Sequence, residues 1–173
     1  MLKNLNIRNS LSIKLILLVL ILIAITASSI KKGKVIVIED KKSGVHQEIY
    51  LEDDSFVLSY THSVHKTIFE EYFIVTQDNR FLLQKNVFDS FGVGSPYIDN
   101  LENFKFENNK FVYILNKTLE EINMIISPIP EHKLTTGDRV YDILGLLNES
   151  TNSIKLYPIE KLIIIIGNKH IIL

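Results

Sequence analysis

From Lys34 onward the chain is written in short β-branched and aromatic runs, each closed by a turn signal before it reaches helical length. Lys34–Glu39, His46–Leu51, Phe56–Tyr60, Ile68–Val75 and Arg80–Phe88 follow one another. Phe104–Phe106, Lys110–Leu115 and Glu121–Ile126 come next. Lys41-Lys-Ser-Gly44, Gln77-Asp-Asn79 and Asn108-Asn109 are the turns between them. Branched and aromatic side chains suit a pleated, half-buried surface, so these runs predict strands joined by hairpins. The period changes once. Val140, Ile143, Leu144 and Leu147 fall at helical spacing behind Asp138, which predicts one short helix with Asp138 as its N-cap. Leu162–Ile166 is too short an aliphatic run to cross a bilayer as a helix. It predicts a strand covered on both faces and central in a sheet, turning at Gly167-Asn168 into Ile171–Leu173; docking on a membrane partner is its second possible role. The fold class expected is mostly β: an antiparallel β-sandwich or partly open barrel with one short helix.

A different grammar governs the first thirty residues. Lys3, Arg8 and Lys14 precede the uncharged, mostly apolar run Leu15–Ile30. A bilayer core asks for roughly 20 apolar residues in a helix, and the run approaches this if Lys14 snorkels toward the headgroups. The expectation is a transmembrane signal anchor over residues 1–32, with the N-terminus cytoplasmic and an extracytoplasmic β-domain over 33–173. The alternative is a cleaved signal peptide, since Thr26-Ala-Ser-Ser29 supplies small residues for a peptidase, and the domain would then be secreted.

Cysteine is absent, which excludes disulfides and a lipid-anchored N-terminal cysteine. A domain of roughly 140 residues can bury enough core to stand without such staples. Past residue 30 the chain carries 16 Lys and Arg against 20 Asp and Glu, so no basic stripe remains to attract nucleic acid.

Chemistry-bearing residues crowd into Tyr60-Thr-His62-Ser63-Val-His65-Lys66, followed by Glu70-Glu71. A second cluster, Phe91-Gly92-Val-Gly94-Ser-Pro96, is a glycine-proline loop of the kind that shapes a site. Strand alternation puts Tyr60 and His62 on one face, and an antiparallel return could bring His62 toward a glutamate. Four readings compete. His62, His65 and Glu71 could ligate a metal, although no third histidine is nearby in sequence. Ser63 could act as nucleophile with His62 or His65 as base in a hydrolase, although no nucleophile elbow is present. The cluster, with Lys66, Glu70 and the Gly92/Gly94/Pro96 loop, could form a polar recognition surface. It could also be a buried network that pins the turn. Recognition is favoured over catalysis. Gly92-Val-Gly94-Ser lacks the lysine and helix of a phosphate loop and the third glycine of a dinucleotide site, so no cofactor is expected.

The order His62-Ser63-Val64, Lys66, Glu71, then Gly92, Gly94 and Pro96, resembles a bacterial family numbered 1850 among the domains of unknown function. The likeness is clearest over residues 56–96 and extends more loosely through His132-Lys-Leu134 to Leu156. His65 departs from the family's pattern, which has glutamate there; Glu70 is the nearest carboxylate that could replace it. What the resemblance implies is a small, membrane-anchored protein associated with tripartite (TRAP-type) uptake transporters that use TAXI-type solute receptors. It would act beside the permease or receptor. The resemblance implies no activity.

Overall fold

The computed structural model describes residues 12–20, 30–62, 66–90, 98, 100–147, 151–166 and 169–173. Its elements in chain order are β1 (Ile30–Asp40), β2 (His46–Tyr50), β3 (Ser55–Thr61), β4 (Ile68–Val75) and β5 (Phe81–Phe88). A 3-10 turn (Leu101–Asn103) leads to β6 (Phe104–Glu107), β7 (Lys110–Leu119), β8 (Ile122–Ile125), β9 (Lys133–Thr136) and β10 (Arg139–Asp142). Helix α1 (Ile143–Leu146), β11 (Ser153–Ile166) and β12 (Lys169–Ile172) complete the described chain. It divides into two compact bodies, Gly33–Glu160 on one hand and Met1–Lys32 with Lys161–Leu173 on the other.

Gly33–Glu160 is a sandwich of two open sheets, and the predicted mostly-β class holds. One sheet runs β10-β9-β3-β4-β5-β7-β6. In the other, β11 lies beside β1, β1 pairs with β2, and β8 pairs with β11. Alternation drives the packing. Ile36, Ile38, Ile49, Leu51, Ile154 and Leu156 of one sheet share a core with Phe56, Leu58, Phe73, Phe81 and Leu134 of the other. Burying each such side chain is worth about 1.5–3 kcal/mol. Phe56 stacks on Phe73 at 4.9 Å between ring centroids and meets Phe81 edge-on at 5.3 Å. A buried lysine clasps the layers: Lys34 Nζ on β1 donates to Asn79 Oδ1 at 2.8 Å and to the Gln77 carbonyl at 3.2 Å, in the β4–β5 turn.

Both predicted asparagine turns form. Asn79 (φ 54°), Asn108 (φ 52°) and Asn109 (φ 61°) adopt the left-handed conformation that asparagine tolerates best among residues with a Cβ. The predicted helix needs correcting. Arg139–Asp142 is a strand paired with β9, and the helix covers only Ile143–Leu146. Its N-cap is Asp142, which accepts from the Leu144 amide at 3.2 Å, rather than Asp138. Gly137 (φ 52°) turns the chain back after Thr136, and the ladder with β9 outbids a marginal helical period.

In the second body, residues 12–20 are helical and exposed. Among the described residues no helix is long and apolar enough to cross a membrane. Residues 21–29, which would complete the predicted anchor, lie outside the described residues. The end of β11 pairs with β12 from Ile163↔Ile172 to Ile166↔Lys169. β11 is interior in its sheet, but the expectation that Leu162–Ile166 is covered on both faces fails. Leu162 is 48% exposed and Ile166 61% exposed.

Candidate functional site

The cross-strand register places the predicted residues. In the β3–β4 hairpin Leu58 faces Glu71 and Tyr60 faces Phe69. Continuing across the sheet, Glu71 faces Asn86 and Asn86 faces Tyr113. Leu58, Glu71, Asn86 and Tyr113 therefore make one row over four adjacent strands, on the face that carries Phe56 and Phe73 into the core. A ladder of stacked rings flanks the row: Tyr60 to Phe69 at 5.2 Å, Phe69 to Phe88 at 5.4 Å and Phe88 to Phe111 at 5.7 Å.

Two polar side chains thus sit among aromatics. Burial raises the Glu71 carboxyl above its ordinary value. Asn86 is buried, and its Oδ1 accepts no hydrogen bond. Desolvation first, and then the charge of Glu71, push the Tyr60 hydroxyl well above the usual phenol range. Glu70, one residue away, points to the opposite face. There it takes a 3.3 Å ion pair from Lys110 and a hydrogen bond from Tyr72. The neighbouring glutamates consequently have unrelated roles.

The motif turn closes at the end of the same sheet. The His62 amide donates to the Thr67 carbonyl at 2.8 Å, and the Lys66 amide to the His62 carbonyl at 2.9 Å, with Lys66 at φ 57°. Thr67 and Ser90 hydroxyls meet at 3.3 Å, tying this turn to the exit of β5. The Thr61 amide donates to the Pro130 carbonyl at 2.6 Å, tying it to the turn before β9. Beyond Pro130, the His132 ring lies 5.6 Å from that of Tyr60. Its Nδ1 is buried without a partner, and desolvation lowers the imidazole's pKa. A cleft of about 400 Å³ opens here, lined by Ser127, Pro128, Glu131, His132, Lys133, Asp142 and Leu144.

The register does not pair His62 with Glu71. His62 lies opposite Thr67 and Glu71 opposite Leu58, so four residues separate them along the strand. That is roughly 13 Å at about 3.3 Å per residue. Among the described residues no three His, Asp or Glu side chains cluster to hold a metal ion. Ser63, His65, Gly92, Gly94 and Pro96 lie outside the described residues.

Asn86 is the residue that sequence reasoning missed, and His132 entered it only within the looser family likeness. Strict alternation from Phe81 turns Asn86 outward. An irregularity at Gln84, opposite the left-handed Asn116 (φ 52°), shifts the phase so that Asn86 and Phe88 join Phe81 and Leu83 inside. The signal was legible: Phe81 and Leu83 are odd, Phe88 is even, and one strand cannot bury all three without such a shift.

Fold and site together define a two-sheet antiparallel β-sandwich whose interior row and sheet-end cleft are polar. The chain belongs to the family described as Domain of unknown function (DUF1850), whose model matches residues 56–143, just over half of its length. The match runs from the start of the β3 core segment to the first residue of α1 and takes in every site residue described above except Leu144 of the cleft. No curated protein and no solved structure matches the chain.

Proposed function

We propose that this chain is a membrane-anchored, extracytoplasmic recognition domain, an accessory of a TRAP-type uptake transporter of the TAXI class. It acts by binding the permease, the solute receptor or the solute rather than by catalysis. The observation that carries the reading is a set of polar groups held out of water in and beside the sandwich core. Glu71 is desolvated opposite Asn86, whose Oδ1 is buried without a partner, and His132, whose Nδ1 is likewise unpaired, lines the cleft next to Tyr60. Buried polar groups are almost always satisfied, and clusters of exceptions mark places retained for something other than stability. The apolar run Leu15–Ile30 behind three cations supports the anchor, and the family resemblance supports the transporter.

The test is co-purification with the co-expressed permease and receptor subunits. His62→Ala and Lys66→Glu, at the motif end, lower the recovered transporter. Arg80→Ala, in the β4–β5 turn at the opposite end of the hairpin, leaves it unchanged. Equal recovery from all variants would sink the reading.

A further inference from the structure

Charge is segregated between the two bodies. Met1–Lys32 with Lys161–Leu173 contains seven Lys and Arg and no Asp or Glu. All twenty acids lie in Gly33–Glu160, against twelve Lys and Arg there. The acid-free body also carries a bare aliphatic face. In the β11–β12 hairpin, alternation sets Leu162, Ile164 and Ile166 on one side of β11, with Ile171 and Leu173 beside them on the partner strand. Leu162, Ile166, Ile171 and Leu173 are exposed, whereas Ile163 on the opposite face is fully buried.

We propose that this hairpin face seats in the headgroup region of an anionic lipid bilayer, as a second membrane contact besides the N-terminal segment. Aliphatic side chains of this density on one edge hairpin favour an apolar cover. Lys169, opposite Ile166, lies on this face, and Lys161, Lys31 and Lys32 belong to the same body. Basic residues bordering an apolar face are the composition that anionic headgroups attract, and the acid next to the face along β11, Glu160, is ion-paired with Lys34 at 3.6 Å. A second copy of the chain fits less well, because pairing two acid-free bodies would bring their cations together with no carboxylate between them.

The inference rests on the membrane attachment proposed above, and the experiment separates the two. The chain has no tryptophan, so Ile171→Trp and Leu162→Trp each give the full-length protein a single reporter. Phe106→Trp, exposed on the sandwich, is the reference. The proteins are reconstituted into phosphatidylcholine–phosphatidylglycerol vesicles, with and without lipids brominated near the headgroup. Ile171→Trp and Leu162→Trp should emit to the blue and be quenched by about twofold or more relative to Phe106→Trp, as burial at the headgroup–acyl boundary requires. Two hairpin positions guard against one variant misfolding. Protein that fails to float with vesicles overturns both membrane readings. Protein that floats while both hairpin reporters stay unquenched overturns this inference alone. A blue shift without quenching, growing with protein concentration, assigns the face to a second copy and likewise overturns it.

Discussion

Glu71 and Asn86 face each other across β4 and β5 on the interior side of the sandwich, and each lacks what its chemistry calls for. Among the described residues no cation compensates the desolvated carboxyl, and the amide carbonyl is buried without a donor. A protonated Glu71 is the species that such a position favours, because a neutral carboxyl loses least on leaving water.

That relationship sets a pH dependence. The folded protein holds the Glu71 proton more tightly than the unfolded chain, whose value is near 4.5. The resulting stabilisation is complete below that value and is lost as pH rises through the higher folded value. Glu71→Gln removes this limb. Its melting temperature at pH 7 should equal or exceed that of the parent, and the difference should shrink as the pH falls toward 4.5. A variant less stable at every pH by more than about 1 kcal/mol would show that the carboxylate is satisfied after all.

Asn86 offers the complementary experiment. Asn86→Asp sets a second carboxyl directly across from Glu71, where like charges oppose each other in low dielectric. We expect a loss of about 2–3 kcal/mol in urea unfolding at pH 7, partly recovered at pH 4.5. Asn86→Leu gives up an unsatisfied carbonyl and should cost less than about 1.5 kcal/mol.

Asp40 titrates in the opposite sense. The Lys42 amide and the Ser43 and Thr151 hydroxyls all donate to its carboxylate, at 2.9, 2.8 and 3.1 Å, and hold its pKa below 3.8. Its contribution is present above the unfolded value and is lost as pH falls through the folded one. Asp40→Asn should lower the melting temperature at pH 7 and converge with the parent in acid. Parallel curves would refute the assignment.

The Lys34 clasp and the Phe56 stack report on how the layers are joined. Lys34→Met removes two charge-assisted bonds to the β4–β5 turn and should cost about 1.5–3 kcal/mol. Phe56→Ala opens a cavity between Phe73 and Phe81 and should cost about 3–5 kcal/mol. Chemical denaturation of both variants measures this. A larger loss from Lys34→Met than from Phe56→Ala would reverse the ranking argued here.

Much of the fold was legible because hydrophobic alternation and turn chemistry are local. Val35–Ile38, Phe56–Tyr60 and Ile68–Val75 read as strands, and Asn79 and Asn108-Asn109 read as their turns. The site was legible only as a neighbourhood. His62 and Glu71 are close in sequence, yet the hairpin register moves them four residues apart along the strand. His132 is 70 residues from His62 in sequence, and the β3–β9 ladder together with the Thr61–Pro130 bond brings its turn beside Tyr60.

The sequence by itself determined the β class, the hairpin turns, the lack of disulfides and the acid-free ends, because each depends on residue type and short-range spacing. Tertiary structure decided which residues share an interior. Irregularity at Gln84 turned Asn86 inward, pairing with β9 unmade the helix predicted from Asp138, and register set Glu71 between Leu58 and Asn86 rather than beside His62. Those outcomes depend on competition between ladders across the sheet, and no single stretch of sequence contains both competitors.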